Sequence, residues 1–336
     1  MATHSSERVR CLAIIIWLVG VDLFPTKYIV TCSPLSGLHW ASFFGIVELV
    51  AGLIERGCYD LNEADFAGRA PLACAAQSGH EEVVKILLGR EEVNPDKLDI
   101  EGQAPLLLAA WNGHEGVVEM LLRGEEVTPD KPGYYGRTPL SYAAWHGHEE
   151  AAKILLERGE VDPDKLNNNG RTLLSFAAFD GNEGVVKILL QREEVDPDRP
   201  DNYNRTPLLH VPRNGRERVV KMLLGREEVN PDKPDNSGLT PLSFGTGFGH
   251  EGVVKILLGR EEVSPDKPDN NGQTPLLLGA SFGHEGVVKI LLGREEVNHD
   301  KPDNDGQTPL SLASGSGYKK VAALLQSRKV VAPGTA

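Results

Sequence analysis

An all-α solenoid of stacked helix–turn–helix units, joined by extended, turn-tipped fingers, is the fold this sequence predicts. Three observations predict it. The proline of a TPL triplet keeps a strict beat at Pro71, Pro105, Pro139, then Leu173 in the same slot, Pro207, Pro241, Pro275 and Pro309, each step being 34 residues. The stretch 249–263 recurs letter for letter at 283–297. Between the apolar runs lie segments dense in Asn, Asp, Gly and Pro, which code turns rather than strands. A fixed period of this size marks an array in which each unit buries its apolar stripe only against its neighbours.

Each element of the unit has a local cause. At Thr274-Pro275-Leu276, the threonine hydroxyl accepts from a first-turn N–H, and proline follows where no intrahelical N–H is needed. A short helix then runs through Leu276, Leu277, Leu278 and Ala280 and stops near Gly283, where a left-handed turn is cheap. The second helix follows at once. Glu285 sits in its first turn, favourable for the helix dipole, and Val287, Val288, Ile290, Leu291 and Leu292 form its apolar side. A finger from Asn298 to Gly306 closes the unit.

The segment TPLSYAAWHGHEEAAKILLERG, from Thr138 to Gly159, resembles the ankyrin repeat pattern. The tetratricopeptide family shares the period, but its W-x-x-L-G-x-x-Y signature is absent. The resemblance covers residues 36–328. Two departures stand out: a PDKPDN finger makes the period one residue longer than usual, and the histidine usual after TPL is kept only at His39. Elsewhere that slot holds Ser141, Ser175, Ser243, Ser311, Leu107, Leu209, Leu277 or Ala73, so a hydrogen-bond network through it is expected to be lost or altered. The resemblance implies a fold and a habit of binding proteins, on the concave side formed by fingers and first helices. It implies no shared chemistry.

Taken in order, the 336-residue chain reads as one quasi-linear array with the composition of a soluble folded protein, 40% hydrophobic and 25% charged. Residues 1–30 fit three readings. The run Cys11–Val21 after Arg8 and Arg10 is too short to span a bilayer. It suits the helix of a degenerate capping repeat, one period before Leu49–Ile54, a signal peptide lacking a clean cleavage site, or a membrane anchor or mis-called start. Repeats then fall at 31–64, 65–98, 99–132, 133–166, 167–200, 201–234, 235–268, 269–302 and 303–330, with 331–336 as a tail. The last unit ends in Lys319, Lys320, Gln326, Ser327, Arg328 and Lys329, the polar outer face of a C-terminal cap. The unit 201–234 is the odd one. Val211 and Pro212 stand where neighbours have small residues, and seven basic side chains stand against five acidic ones, which reads first as drift in one copy and otherwise as a local hinge or a basic spot for an acidic partner.

The motifs of phosphate loops, dinucleotide sites, nucleophile elbows and zinc proteases are absent, so a non-catalytic protein without cofactor is expected. Aspartates crowd the fingers, but Lys301 and Leu312 stand where a calcium loop needs ligands. His80, His114, His148, His250 and His284 recur once per unit and cannot converge on one metal ion. Cys11, Cys32, Cys58 and Cys74 show no C-x-x-C spacing, and the array suits a reducing compartment such as the cytoplasm, or secretion if residues 1–21 are a signal. A net charge of −13 disfavours nucleic acid. The Val/Leu runs are core rather than a membrane surface. A monomeric protein-interaction scaffold is the leading expectation. The alternatives are a truncated recognition array of a larger nucleotide-binding receptor and a secreted effector. By the resemblance, partner-contacting positions at the ends of the first helices hold Phe43, Phe44, Trp111, Trp145, His146, Phe248 and Phe282, with fingertip Tyr134, Tyr135 and Tyr203 on the same side.

Overall fold

Short helices in antiparallel pairs follow one another along the chain, and among the described residues no strand occurs. The computed structural model describes residues 37–57 and 59–329. The readings of residues 1–30, the 331–336 tail and Cys58 lie outside the described residues. The chain divides into two units, one comprising residues up to Ala143 with Ile154–Val161, the other Ala144–Lys153 with residues from Asp162 onward.

In the first unit the pairs are Gly37–Phe43 with Val47–Glu55, Pro71–Ser78 with Glu81–Leu88, and Pro105–Asn112 with Glu115–Leu122. First helices pack on first helices and second on second, in series. The chain passes between units within Pro139–His146 and Glu149–Leu156. The second unit repeats the pattern through Leu173–Asp180 with Glu183–Leu190, Pro241–Gly247 with Glu251–Leu258, Pro275–Ser281 with Glu285–Leu292, and Pro309–Gly315 with Lys319–Lys329. First helices are apolar almost all round: Leu276, Leu277, Leu278 and Ala280 are buried, flanked on both sides by like helices. Second helices bury one stripe, Val287, Val288, Leu291 and Leu292, while Lys289 faces water and pairs with Glu285 at 2.6 Å. Ile290 is half-buried rather than part of that stripe.

The caps form as the sequence dictates. The hydroxyls of Thr172, Thr240 and Thr308 accept from the N–H groups of Ser175, Ser243 and Ser311 at 3.1–3.2 Å. At Thr308 the Ser311 hydroxyl returns the bond to the Thr308 N–H, closing a capping box. Serine in the slot after TPL therefore serves the helix end. The one histidine there, His39, ties two backbone carbonyls, those of Glu63 and Arg69, each at 2.9 Å.

Three ladders join consecutive pairs. In the first, the recurring histidine reaches back to the end of the preceding first helix: His80 Nε2 lies 2.9 Å from the Phe43 carbonyl and His284 Nε2 2.9 Å from that of Gly247. Asn182 substitutes at its position, donating to the Trp145 carbonyl at 2.7 Å. The histidines thus act between neighbouring pairs. The glycine behind each ring is required twice over. Gly79 sits at φ 75°, and a Cβ there would lie 2.5 Å from His114 Nδ1. In the second ladder the PDKPDN finger contributes its basic residue: Lys233 Nζ lies 2.9 Å from Asp198 Oδ2, and Lys267 Nζ 2.9 Å from Asp232 Oδ2. The third runs along the fingertips of the second unit, where the side-chain amides of Asn202, Asn236, Asn270 and Asn304 each donate to the carbonyl found 34 residues back. The tips bearing these four amides are each closed by an aspartate, as where Asp303 Oδ1 accepts from the N–H groups of Asp305 and Gln307 at 3.0 and 2.8 Å, while Asn167 takes that place one tip earlier.

The pair in 201–234 departs from the others. Its first helix is α-helical only over Pro207–His210 and continues as a 3-10 turn, Val211–Asn214. Pro212 offers no N–H to close the second α turn, so the helix tightens there. At the end of the second unit, Lys319–Lys329 buries Val321 and Leu325, while Lys319, Lys320, Gln326, Ser327 and Arg328 are exposed.

Candidate partner-binding surface

The core of each pair is completed by Leu, Val and Ala, and large rings then remain at the ends of the first helices and at the fingertips. Their surroundings differ from one position to the next.

In the first unit, Phe43 and Phe44 are half-buried, their rings edge-to-face at 5.2 Å, with Phe44 parallel to Trp40 at 5.4 Å. Trp111 is half-buried and lies flat on Tyr142, the centroids 4.6 Å apart. The Arg137 guanidinium lies 5.7 Å from the Tyr142 ring and 5.8 Å from that of Tyr135. Burial pushes the Tyr142 phenol above its usual pKa, against the opposing pull of Arg137. Tyr134 and Tyr135 are exposed by half or slightly more of their surface, and their hydroxyls are 3.2 Å apart. Tyr135 holds a φ of 59°, unusual for a non-glycine residue, which turns its ring outward beside its neighbour.

In the second unit, Trp145 is half-buried, its ring 5.3 Å from His146 and 5.8 Å from Phe176. Beside them burial raises the Asp180 carboxyl, with His146 and a hydrogen bond from Trp145 pulling it back. Tyr203 is exposed, with the Arg205 guanidinium 4.6 Å over its ring. Phe248 and Phe282 are 45% and 57% exposed; the Arg213 guanidinium lies 5.4 Å from the Phe248 ring.

The structure adds two residues to those read from the sequence. Phe66 is 69% exposed and Ile100 75% exposed, each at a fingertip of the first unit. They share a register with Tyr134 at steps of 34 residues, and the slot is asparagine at 202, 236, 270 and 304. That register is the signal that finds them. A single apolar residue in a polar turn gives no local periodicity, but the comparison across units is plain. The first unit thus carries an apolar fingertip row, where the second carries the asparagine ladder.

None of these positions gathers a nucleophile with a base. Among the described residues, no group of three or more His, Cys, Asp or Glu side chains is arranged to hold a metal ion. Among the same residues, no helix is long and apolar enough to cross a membrane. What the arrangement offers is contact area: rings with few rotatable bonds, several backed by guanidinium groups.

The family model for ankyrin repeats in three copies matches residues 11–95, 38–131, 92–164, 159–235, 193–266, 210–298 and 242–332. No curated protein matches the chain.

Proposed function

The chain belongs to the ankyrin repeat family, whose repeats are protein–protein interaction modules, and from that premise we propose that it is a non-catalytic scaffold that binds a protein partner through its fingertips and first-helix ends. The observation that carries this reading is the fingertip row of the first unit. Phe66, Ile100 and Tyr134 stand more than half exposed at equal spacing, where the fold itself is content with asparagine. Exposed apolar side chains in register are a cost to solubility with no return in folding, and they mark surfaces that bind. Trp and Tyr supply much of the energy at such surfaces. The half-exposed faces of Trp111 and Tyr135 extend the row in the first unit. In the second, Tyr203, Phe248 and Phe282, with Trp145 and His146, offer rings of the same kind, and Phe43 and Phe44 add a smaller area in the first.

The test is quantitative affinity capture from the native source, comparing the wild-type chain with Phe66→Ser/Ile100→Ser. A partner retained by the wild type and reduced by about tenfold or more on the variant, with unchanged thermal unfolding, supports the reading. Equal recovery of every captured protein on both chains would remove the row from the binding surface.

A further inference from the structure

Three arginines crowd one reversal in the second unit. Arg213 closes the 3-10 turn Val211–Asn214, Arg216 precedes the helix Glu217–Leu223, and Arg218 lies in its first turn. All three are exposed. Counting by 34 in either direction, the slot of Arg213 holds Phe179 or Gly247, that of Arg216 holds Asn182 or His250, and that of Arg218 holds Gly184 or Gly252. Each replacement exchanges a packing or spacing residue for a cation facing water. The Arg216 stem lies over Gly181, where a histidine ring lies over glycine elsewhere. Arg218 reaches Glu183 at 3.4 Å, with four-fifths of its side chain still exposed.

The nearby carboxylates offset this charge only in part. Glu217 is directed away, against Gly252, where a Cβ would meet its carboxylate. Glu183 is engaged by Arg218, and Asp180 lies near Arg216 and His146. Arg213 instead lies over the exposed ring of Phe248, and Phe282 follows one step of 34 residues on. A cationic loop thus borders one exposed phenylalanine, with a second at the equivalent position of the next pair, in a chain whose net charge is −13.

We propose that Arg213, Arg216 and Arg218, with Phe248 and Phe282, receive an acidic peptide segment of a protein partner, its carboxylates meeting the guanidinium groups and an apolar side chain between them meeting the rings. Arginine presents a planar fork to a carboxylate and stacks on an aromatic face at the same time. The net negative charge of the chain repels an acidic segment on average, so local attraction at this loop, together with the adjoining ring, fixes where the segment docks. A nucleic acid is the less suitable polyanion, because its length would carry it across the acidic surroundings. The inference rests on the reading of Phe248 and Phe282 as partner contacts.

The experiment uses the full chain and a fluorescein-labelled peptide of about fourteen residues, in which Asp-Glu pairs flank a central Leu-Phe, followed by fluorescence anisotropy at low and high salt. The wild type is expected to bind, more weakly as salt rises. Arg213→Ala/Arg216→Ala/Arg218→Ala is expected to weaken binding by about tenfold or more and to flatten the salt dependence. Should that variant unfold, Arg213→Glu/Arg218→Glu keeps Arg216 on Gly181 and serves instead. Phe248→Ala/Phe282→Ala is expected to weaken binding with the salt dependence intact. Loss with the arginine variant but not with the phenylalanine variant would keep the acidic peptide and sink the rings as contacts. Wild-type affinity in the arginine variant would overturn the inference. So would tighter binding of a single-stranded oligonucleotide than of the peptide, or a low-salt dimer in sedimentation that the arginine variant abolishes.

Discussion

The indole of Trp111 lies parallel to the ring of Tyr142, the planes inclined by 12° and the centroids 4.6 Å apart. Tyr142 is itself 2% exposed and belongs to the next first helix along the chain, so one face of the tryptophan covers a core residue while the side chain as a whole stays half-buried. Truncating a wholly buried tryptophan costs about 3–5 kcal/mol, and a stacked pair contributes roughly 1 kcal/mol of its own. Half-burial places Trp111→Ala at about 2 kcal/mol. Urea unfolding of Trp111→Ala and Trp111→Phe checks this, the phenylalanine variant recovering most of the loss. An alanine variant as stable as the wild type would make the indole surplus to folding and leave binding as its only use.

His210 occupies a buried slot filled by Phe176 and Phe244 one step away on either side. Its Nε2 lies 3.5 Å from Asp201 Oδ2, at the long limit of a hydrogen bond. Burial depresses the imidazole pKa, the charge of Arg171 and Arg205 depresses it further, and Asp201 opposes them. The unfolded chain takes up a proton on this ring near pH 6.5, and the folded chain only at lower pH. Stability from this site is therefore present above about pH 6.5 and is lost as pH falls through the folded value. For Asp201, burial alone would raise the pKa, but hydrogen bonds from His210, Arg205 and two backbone N–H groups outweigh it and hold the carboxyl far below its usual range. Its contribution is present above the unfolded value of about 3.9 and is lost below it. Urea melts of His210→Phe should show a flatter stability profile between about pH 7 and 5 than the wild type, with the acid loss below about pH 4 still present. Parallel profiles for the two chains would contradict this.

Pro212 interrupts the first helix of the same pair. Replacing it with alanine supplies an N–H and lets the α-helix of Pro207–His210 continue through the 3-10 segment. The gain is expected at about 1 kcal/mol, below the full interior penalty because the site is near the helix end. Repeat arrays couple mainly through neighbours, so a weak pair opens ahead of the rest. Hydrogen exchange should show faster exchange at 207–224 than at 275–292 in the wild type, with the difference reduced in Pro212→Ala. Equal protection of the two segments in the wild type would rule the weak point out.

The periodic part of the molecule was open to reading from the chain because one physical cause sets both. A helix pair that buries its stripe only against a copy of itself must repeat its apolar positions at the same step, and glycine stops follow the first helices, most of which open on Thr-Pro, with Ala-Pro at Ala70 and Ala104 and Thr-Leu at Thr172. The histidines could be read as structural, one per repeat, for the same reason, but their reach back to the preceding pair was not foreseen. The ladder from Lys267 to Asp232 was harder to foresee. Its partners are 35 residues apart, and the PDKPDN finger reads locally as turn composition alone. The row of Phe66 and Ile100 was hidden in a different way. A lone apolar residue amid turn residues looks like noise within one unit, and its exposure depends on how neighbouring fingers stack. The role of Arg137 between Tyr135 and Tyr142 likewise follows from the outward turn of Tyr135, which no spacing rule supplies.

The most direct measurement of the claim that fingertips and first-helix ends form the binding surface is site-specific photo-crosslinking in the native source. A photoreactive phenylalanine is placed in turn at position 66, at position 282 and, on an exposed second-helix position, at 119. The expected result is a discrete crosslinked protein from position 66 or 282, competed by unlabelled wild-type chain, and none from 119. Crosslinks of equal yield from 119, or a competed partner from 119 alone, would contradict the account and move the binding surface to the second helices.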